Sequence, residues 1–394
     1  MKVDKSNARH WLYLALFGLN SLIAVVVRPF RSTSRKNTRT LQIILYGHRL
    51  SGNLLALHRH IHKYHGDDFR LTFLTMDPKY HQRLCHDDIR SCLATRPSAI
   101  RLLCAADAVI SDHGLHSMVP LLWLSDVKFF DVWHGIPFKG FEESDFKSLH
   151  CYTETWVPSP LLAKLYEERF GFPRKNICVT GYARTDSLVI PEETDDQIRQ
   201  RLRLQHVCGK KLVLFAPTWK QDATDRTLFP FGIEPEIFLR ELSRLCQRHD
   251  AILAVRIHIN ARLTENVTSK DIEFLPFDKY PDTEAILQIT GILICDWSSI
   301  AFDFLLLDRP TIFLDVPVPF AKGFTITPDF RYGEIASTLP HLMTALETSL
   351  TSEDIYWNHN KERHHTIKSR LYGDNAHGNS TRNCVERLRL HLPK

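Results

Sequence analysis

The chain has 394 residues, 44% of them apolar, and a formal net charge of +5. That length suits roughly two domains of ordinary size, and that apolar fraction excludes a largely disordered chain. The charge is small and partly gathered near the amino terminus, so it leaves no nucleic-acid footprint, and no RNA-recognition, zinc-finger or helix-turn-helix pattern accompanies it.

In chain order, the first feature is Trp11–Val27, an uncharged apolar stretch containing Gly18 and Asn20. It is at the short limit for a membrane span. Lys2, Lys5 and Arg9 precede it, and Arg28, Arg31, Arg35, Lys36 and Arg39 follow. The heavier cluster on the carboxyl side places the main body in the cytoplasm by the positive-inside rule. A cleaved signal peptide lacks small residues at a cleavage site. Three readings stay open: a span, a helix lying in the interface on anionic headgroups, and a helix packed on the globular body. Residues 1–39 are accordingly expected to be a membrane-associated segment.

From Thr40 onward, strand-like and helix-like segments alternate. Leu41–Tyr46, Leu71–Thr75, Ala108–Ser111, Val127–Trp133, Glu154–Pro158 and Ile177–Gly181 read as strands, with helices at 53–64 and 118–124. The His58–His62 tract sits on the first of these helices rather than in a metal site. The polar stretch 191–196 reads as a linker and as the start of a helix over 195–206. The pattern then resumes with strands at 212–215, 252–257, 292–295 and 311–314 and helices at 236–248 and 300–307. Residues 353–394 read as helices, the last crossing back over the first half. Such alternation predicts an α/β protein with parallel sheets. Its halves are an amino-terminal domain (40–190) and a carboxyl-terminal domain (191–394). The nine cysteines are odd in number and show no C-x-x-C pair, which fits buried thiols in a reducing compartment.

Chemistry gathers where strands end. His134 and Lys139 follow the strand 127–133 in Asp-Val-Trp-His-Gly-Ile-Pro-Phe-Lys-Gly (131–140), with Gly135 and Pro137 forcing a turn. A neutral imidazole at a strand's carboxyl end can accept a proton near pH 7, although one histidine there can equally be a local cap. In the second half, Ala216-Pro217-Thr218-Trp219-Lys220, Arg256-Ile257-His258 and Cys295-Asp296-Trp297-Ser298-Ser299 each close a strand. Ser298 and Ser299 stand where a helix begins, so they suit a phosphate; Asp296 or Ser298 capping that helix is the competing reading. Arg256 and His258 lie two apart and share a strand face. Either could hold negative charge, or Arg256 could be an ion pair and His258 a core hydrogen bond. Arg184 and Asp186, in Gly181-Tyr182-Ala183-Arg184-Thr185-Asp186, are either a structural pair or ligand contacts at the seam between the halves.

These motifs occur in an order that resembles the CDP-glycerol glycerophosphotransferase family, whose members build teichoic-acid-type polymers. Tyr332-Gly333-Glu334-Ile335 and Asp374-x-x-x-Gly378-Asn379-Ser380-x-Arg382 extend the likeness, which covers about residues 41–390. It implies a GT-B fold, two Rossmann-like domains facing a central cleft. It also implies CDP-glycerol or a related CDP-alcohol such as CDP-ribitol as donor. The acceptor would be a lipid-linked glycan or polymer at the cytoplasmic face of the cell membrane. By the family pattern His134 is the general base, attack falls on the β-phosphorus, and CMP leaves. His258, Ser298 and Ser299 contact the donor phosphates. Thr218, Arg256 and Asp296 support them, and Gly135, Lys139, Arg184 and Asp186 also line the substrate site.

The chain departs from the family at Ile259, Trp297 and Ala183, where Pro, Tyr and Pro are commoner; Ile259 bears on the loop that aims His258. Its length suits a primase-type enzyme adding one or few units. The resemblance implies no required metal, and the sequence has no Asp-x-Asp motif; magnesium stays open. Two alternatives stand beside this reading: a GT-B glycosyltransferase with a sugar-nucleotide donor, and a non-catalytic membrane-attached binding protein on the same fold.

Overall fold

A computed structural model describes residues 4, 6–30, 40–218, 229–256 and 271–393. It divides into two compact units. The first comprises residues 1–134, 142–184 and 379–394, and the second comprises 135–141 and 185–378.

The first unit is built on seven strands: β1 (Leu41–Tyr46), β2 (Phe69–Thr75), β3 (Ser91–Leu93), β4 (Ala108–Ser111), β5 (Lys128–Asp131), β6 (Glu154–Val157) and β7 (Ile177–Val179). Their order is 3-2-1-4-5-6-7 and every pairing is parallel. The central strands read as continuous apolar runs because helices cover both faces. Ile43, Leu45, Phe73, Ile110 and Phe130 are fully buried, with Leu54, Leu57 and Ile61 of the helix Gly52–Tyr64 packed on them.

The second unit repeats the plan with six strands: β8 (Lys211–Ala216), β9 (Ala251–Val255), β10 (Ile272–Phe274), β11 (Thr290–Cys295), β12 (Thr311–Leu314) and β13 (Glu334–Ala336). Their order is 10-9-8-11-12-13, again all parallel. In both sheets the chain runs outward from the first strand, then returns and continues on its other side. This is the doubly wound Rossmann order, and its topological switch point lies between β1 and β4 in one unit and between β8 and β11 in the other.

The structure corrects several sequence expectations. Strand β5 stops at Asp131, because Trp133 adopts φ +37°, which no strand allows. The helix over 195–206 ends at Arg201, with Arg203 at φ +60°. The unit boundary falls at 184/185 rather than 190/191, since Gln288 Nε2 ties the carbonyl of Ser187 into the second unit at 2.6 Å. Residues 379–394 belong to the first unit, not the second. In the helix Ser380–His391, Thr381 Oγ1 donates to Ala183 O (3.1 Å) and Asn383 Nδ2 to Thr180 O (3.1 Å), while Leu388 is buried in the first core. The amino-terminal helix runs over Ala8–Val27 and packs one face on the first unit, burying Phe17, Asn20, Ser21 and Ala24. All nine cysteines are free thiols.

Candidate active site

In the first unit, polar groups converge at the carboxyl ends of β1, β4 and β5. Gly47-His48 follows β1, Asp112-His113 follows β4, and Trp133-His134 follows β5. The His134 ring lies 4.7 Å from His113, stacked at 8°, and 4.2 Å from Trp133; His48 sits 4.0 Å from His113. His134 Nδ1 lies 3.1 Å from the carbonyl oxygen of Asp112. A carbonyl can only accept, so Nδ1 carries the proton and the lone pair of the neutral ring is on Nε2. His134 is exposed, while the turn beneath it is buried.

That turn is braced from three sides. Asn53 Nδ2 donates to the carbonyls of Val132 (2.7 Å) and Trp133 (2.9 Å), and its Oδ1 accepts from Arg184 N (3.1 Å). Arg184 Nη1 donates to the carbonyl of His134 itself at 2.9 Å. Asp131, fully buried, accepts from Trp133 N at 3.3 Å. Burial pushes its carboxyl up to about 7, and nearby Asp112 adds to the rise, against the opposing Trp133 N–H and His113. His113 Nδ1 meets Asp112 Oδ1 at 2.6 Å. Burial, helped by neighbouring histidines, pushes His48 down to about 2, and burial pushes His116 down to about 4, so both are neutral near pH 7.

Residues 135–141 belong to the second unit. Gly135 has φ +136°. Phe138 is buried against Trp297 and Phe302. Lys139 bridges Phe324 in an antiparallel pair, and its ammonium stands 5.5 Å from the Phe141 ring. Gly140 N donates to Gly323 O at 2.7 Å, and Thr325 N to Phe138 O at 2.9 Å.

The switch point of the second sheet joins two of the expected residues directly. Asp296, buried after β11, accepts at Oδ1 from both the backbone N–H (2.8 Å) and the hydroxyl of Thr218, after β8. Asp296 thus cross-links two neighbouring strand ends. Ser299 precedes the helix Ile300–Phe304 and makes no side-chain capping bond; Ser298 and Ser299 are both partly exposed. Arg256 is buried, with its guanidinium on the carbonyls of Leu275 (3.2 Å) and Tyr280 (2.9 Å) and on Thr283 Oγ1 (2.8 Å). Burial lowers its pKa to about 10, which leaves it charged at neutral pH. It holds the 275–283 loop. Asp186 opens the short helix Asp186–Val189. His258 lies outside the described residues, as do Trp219 and Lys220.

Sequence reading missed His48, Asn53, Asp112, His113 and His116. Position was the available signal for the strand-end residues. Gly47-His48 and Asp112-His113 directly follow the two strands that flank the switch point, where α/β sheets bind ligands.

The chain resembles several characterised proteins. It is 29% identical over 237 residues to the Staphylococcus aureus teichoic acid ribitol-phosphate polymerase TarL, covering 55% of this chain and 41% of that one. It is 27% identical over 204 residues to a teichoic acid glycerol-phosphate transferase of the same species, covering 47% and 51%. The chain therefore matches about half the length of these curated relatives. A structure of the wall teichoic acid polymerase TagF soaked with CDPG superposes with a TM-score of 0.70 at 16% identity, covering 98% of each chain, and so shares the fold. The model of the CDP-glycerol:poly(glycerophosphate) glycerophosphotransferase family matches residues 26–389, and the chain belongs to that family.

Proposed function

We propose that the protein transfers glycerol phosphate, or a related alcohol phosphate, from a CDP-alcohol to a hydroxyl of a lipid-linked or polymer acceptor. The transfer serves cell-surface polymer synthesis at the cytoplasmic face of the membrane. His134 Nε2 takes the proton of the acceptor hydroxyl as its oxygen bonds to the β-phosphorus. The bond from that phosphorus to the bridging oxygen breaks, and CMP leaves. Ser298 and Ser299 offer hydroxyl donors to the diphosphate, and His258 is assigned the same role from the family pattern. Thr218 and Asp296 set the strand ends from which those donors project, while Lys139 supplies a cation. The reading requires no metal ion and is compatible with magnesium. Phosphoryl-group transfer depends on positioning and charge stabilisation, which such residues supply.

The observation that carries this reading is the His134 imidazole. It is exposed at a strand's carboxyl end, and its Nδ1 hydrogen bond reserves Nε2 for a proton. The test is incubation of purified protein with CDP-glycerol or CDP-ribitol and a lipid-linked acceptor, measuring CMP and product mass. His134→Ala is expected to lower CMP release about 10²–10⁴-fold. Full release by that variant would overturn the assignment of the base.

A further inference from the structure

Asn53, Arg184 and Asp131 brace the turn at His134, but their bonds end on main-chain atoms. The imidazole itself projects to the surface, and an exposed side chain changes rotamer within nanoseconds unless something holds it. A base must aim its lone pair at the proton it takes, so the orientation of this ring enters the rate directly. The ring is held by two consecutive residues that follow β4. The carbonyl of Asp112 accepts from His134 Nδ1 at 3.1 Å. The carboxylate of Asp112 lies 2.6 Å from His113 Nδ1; a carboxylate only accepts, so His113 donates. The His113 ring then lies parallel to that of His134, within 8°, with centroids 4.7 Å apart. Asp112 thus grips one imidazole with its main chain and the other with its side chain.

We propose that Asp112 and His113 are positioning residues for the base: the Asp112 carbonyl selects the tautomer of His134, and the His113 ring, fixed by the Asp112 carboxylate, sets the plane of the His134 ring. The surroundings are shaped for this. Asp112 is buried, and its carboxylate fills the space that Gly47 leaves at the end of β1. A Cβ on residue 47 would stand 2.3 Å from Asp112 Oδ1 and 3.1 Å from its Cγ. His48 backs the His113 ring with centroids 4.0 Å apart, and His116 lies 6.1 Å from His48. The hydroxyl of Tyr46, buried on β1, meets His116 Nδ1 at 2.8 Å, which ties the row of rings to a core strand. Burial keeps His48 and His116 neutral near pH 7, so they place no positive charge behind His113 when His134 takes its proton. With its Nδ1 committed to Asp112, His113 serves through its ring face and not through acid–base chemistry. Groups that orient a catalytic base in this way recur wherever a side chain must present one nitrogen to a reacting proton.

The inference rests on the transferase reading of His134, and two kinds of measurement keep them apart. Steady-state CMP release is measured with CDP-glycerol or CDP-ribitol and a lipid-linked acceptor for wild type, His113→Ala and His113→Phe. Loss of the ring is expected to lower kcat about tenfold at unchanged KM for the CDP-alcohol, because a misaimed base loses rate and not donor affinity. His113→Phe restores a flat ring that exchanges no proton, and it is expected to recover most of kcat. A wild-type kcat in His113→Ala, or a change confined to KM, would overturn the proposal. So would a Phe variant as slow as the Ala variant, which would make His113 an acid or base in its own right. Independently of turnover, nitrogen NMR of histidine-labelled protein at mildly alkaline pH is expected to show His134 protonated at Nδ1 alone in wild type and as a mixture of tautomers in His113→Ala. The same single tautomer in both proteins would count equally against the proposal. That tautomer change in a protein releasing no CMP from either donor would instead sink the transferase reading and leave the positioning of His134 standing.

Discussion

Asp131 shows how a single residue can serve the site at a thermodynamic cost. Its backbone ends β5, one carboxylate oxygen orients Trp133 in a left-handed conformation, and the other has no hydrogen-bond partner. Full burial raises its carboxyl from 3.8 to about 7. Below 3.8 the folded and unfolded chains are both protonated, and the group is neutral toward stability. Between 3.8 and about 7 the unfolded chain ionises while the folded chain keeps its proton. The unfavourable contribution therefore builds through that window and is complete above about 7. Asp131→Asn keeps the oxygen that accepts from Trp133 and removes the charge. We expect it to stabilise the protein at pH 8 by something on the order of 1–3 kcal/mol and to do little at pH 4. Denaturant unfolding at both values checks this, and an equal effect at both would refute the linkage.

At the scale of elements, the segment 135–141 shows what patterning conveys and what it does not. The turn residues Gly135 and Pro137 were legible, as was His134 at a strand end. The latch that holds the segment was not, because it joins residues about 185 positions apart and leaves no local periodicity. Gly140 exists for that latch: a Cβ there would stand 2.3 Å from Lys322 O and 2.5 Å from Gly323 O. Neither backbone carbonyl can yield as a side-chain tip would. Gly140→Ala is expected to cost roughly 1–3 kcal/mol in equilibrium unfolding, by overpacking. The same limit explains why β3, β10 and β13, three residues each, escaped prediction while the long apolar strands did not. It also explains Arg256. Its strand-end position suggested a phosphate contact, yet its partners Leu275, Tyr280 and Thr283 come from a loop whose path no spacing reveals.

At the scale of the molecule, the chain leaves the first unit twice and returns each time, finishing with the helix Ser380–His391 on the first sheet. That the last helix crosses back over the first half was legible, whereas the residues it docks on are distant in sequence and were not. Glu154, buried on β6, receives Arg387, His391 and the Trp156 indole. Despite the penalty of burial, these partners hold its carboxyl below the usual carboxylate range. Cys384, Val385 and Leu388 enter the same core as Phe130 and Trp156. Residues at the end of the sequence therefore stabilise strands near its beginning. Leu388→Ala removes a fully buried side chain and should cost about 2–5 kcal/mol. Units with separate cores open separately, so the loss should be local. Amide hydrogen exchange is expected to accelerate in β1, β2 and β4 while β8 and β11 keep wild-type protection. Equal loss of protection in both sheets would show instead that the two units unfold as one cooperative body.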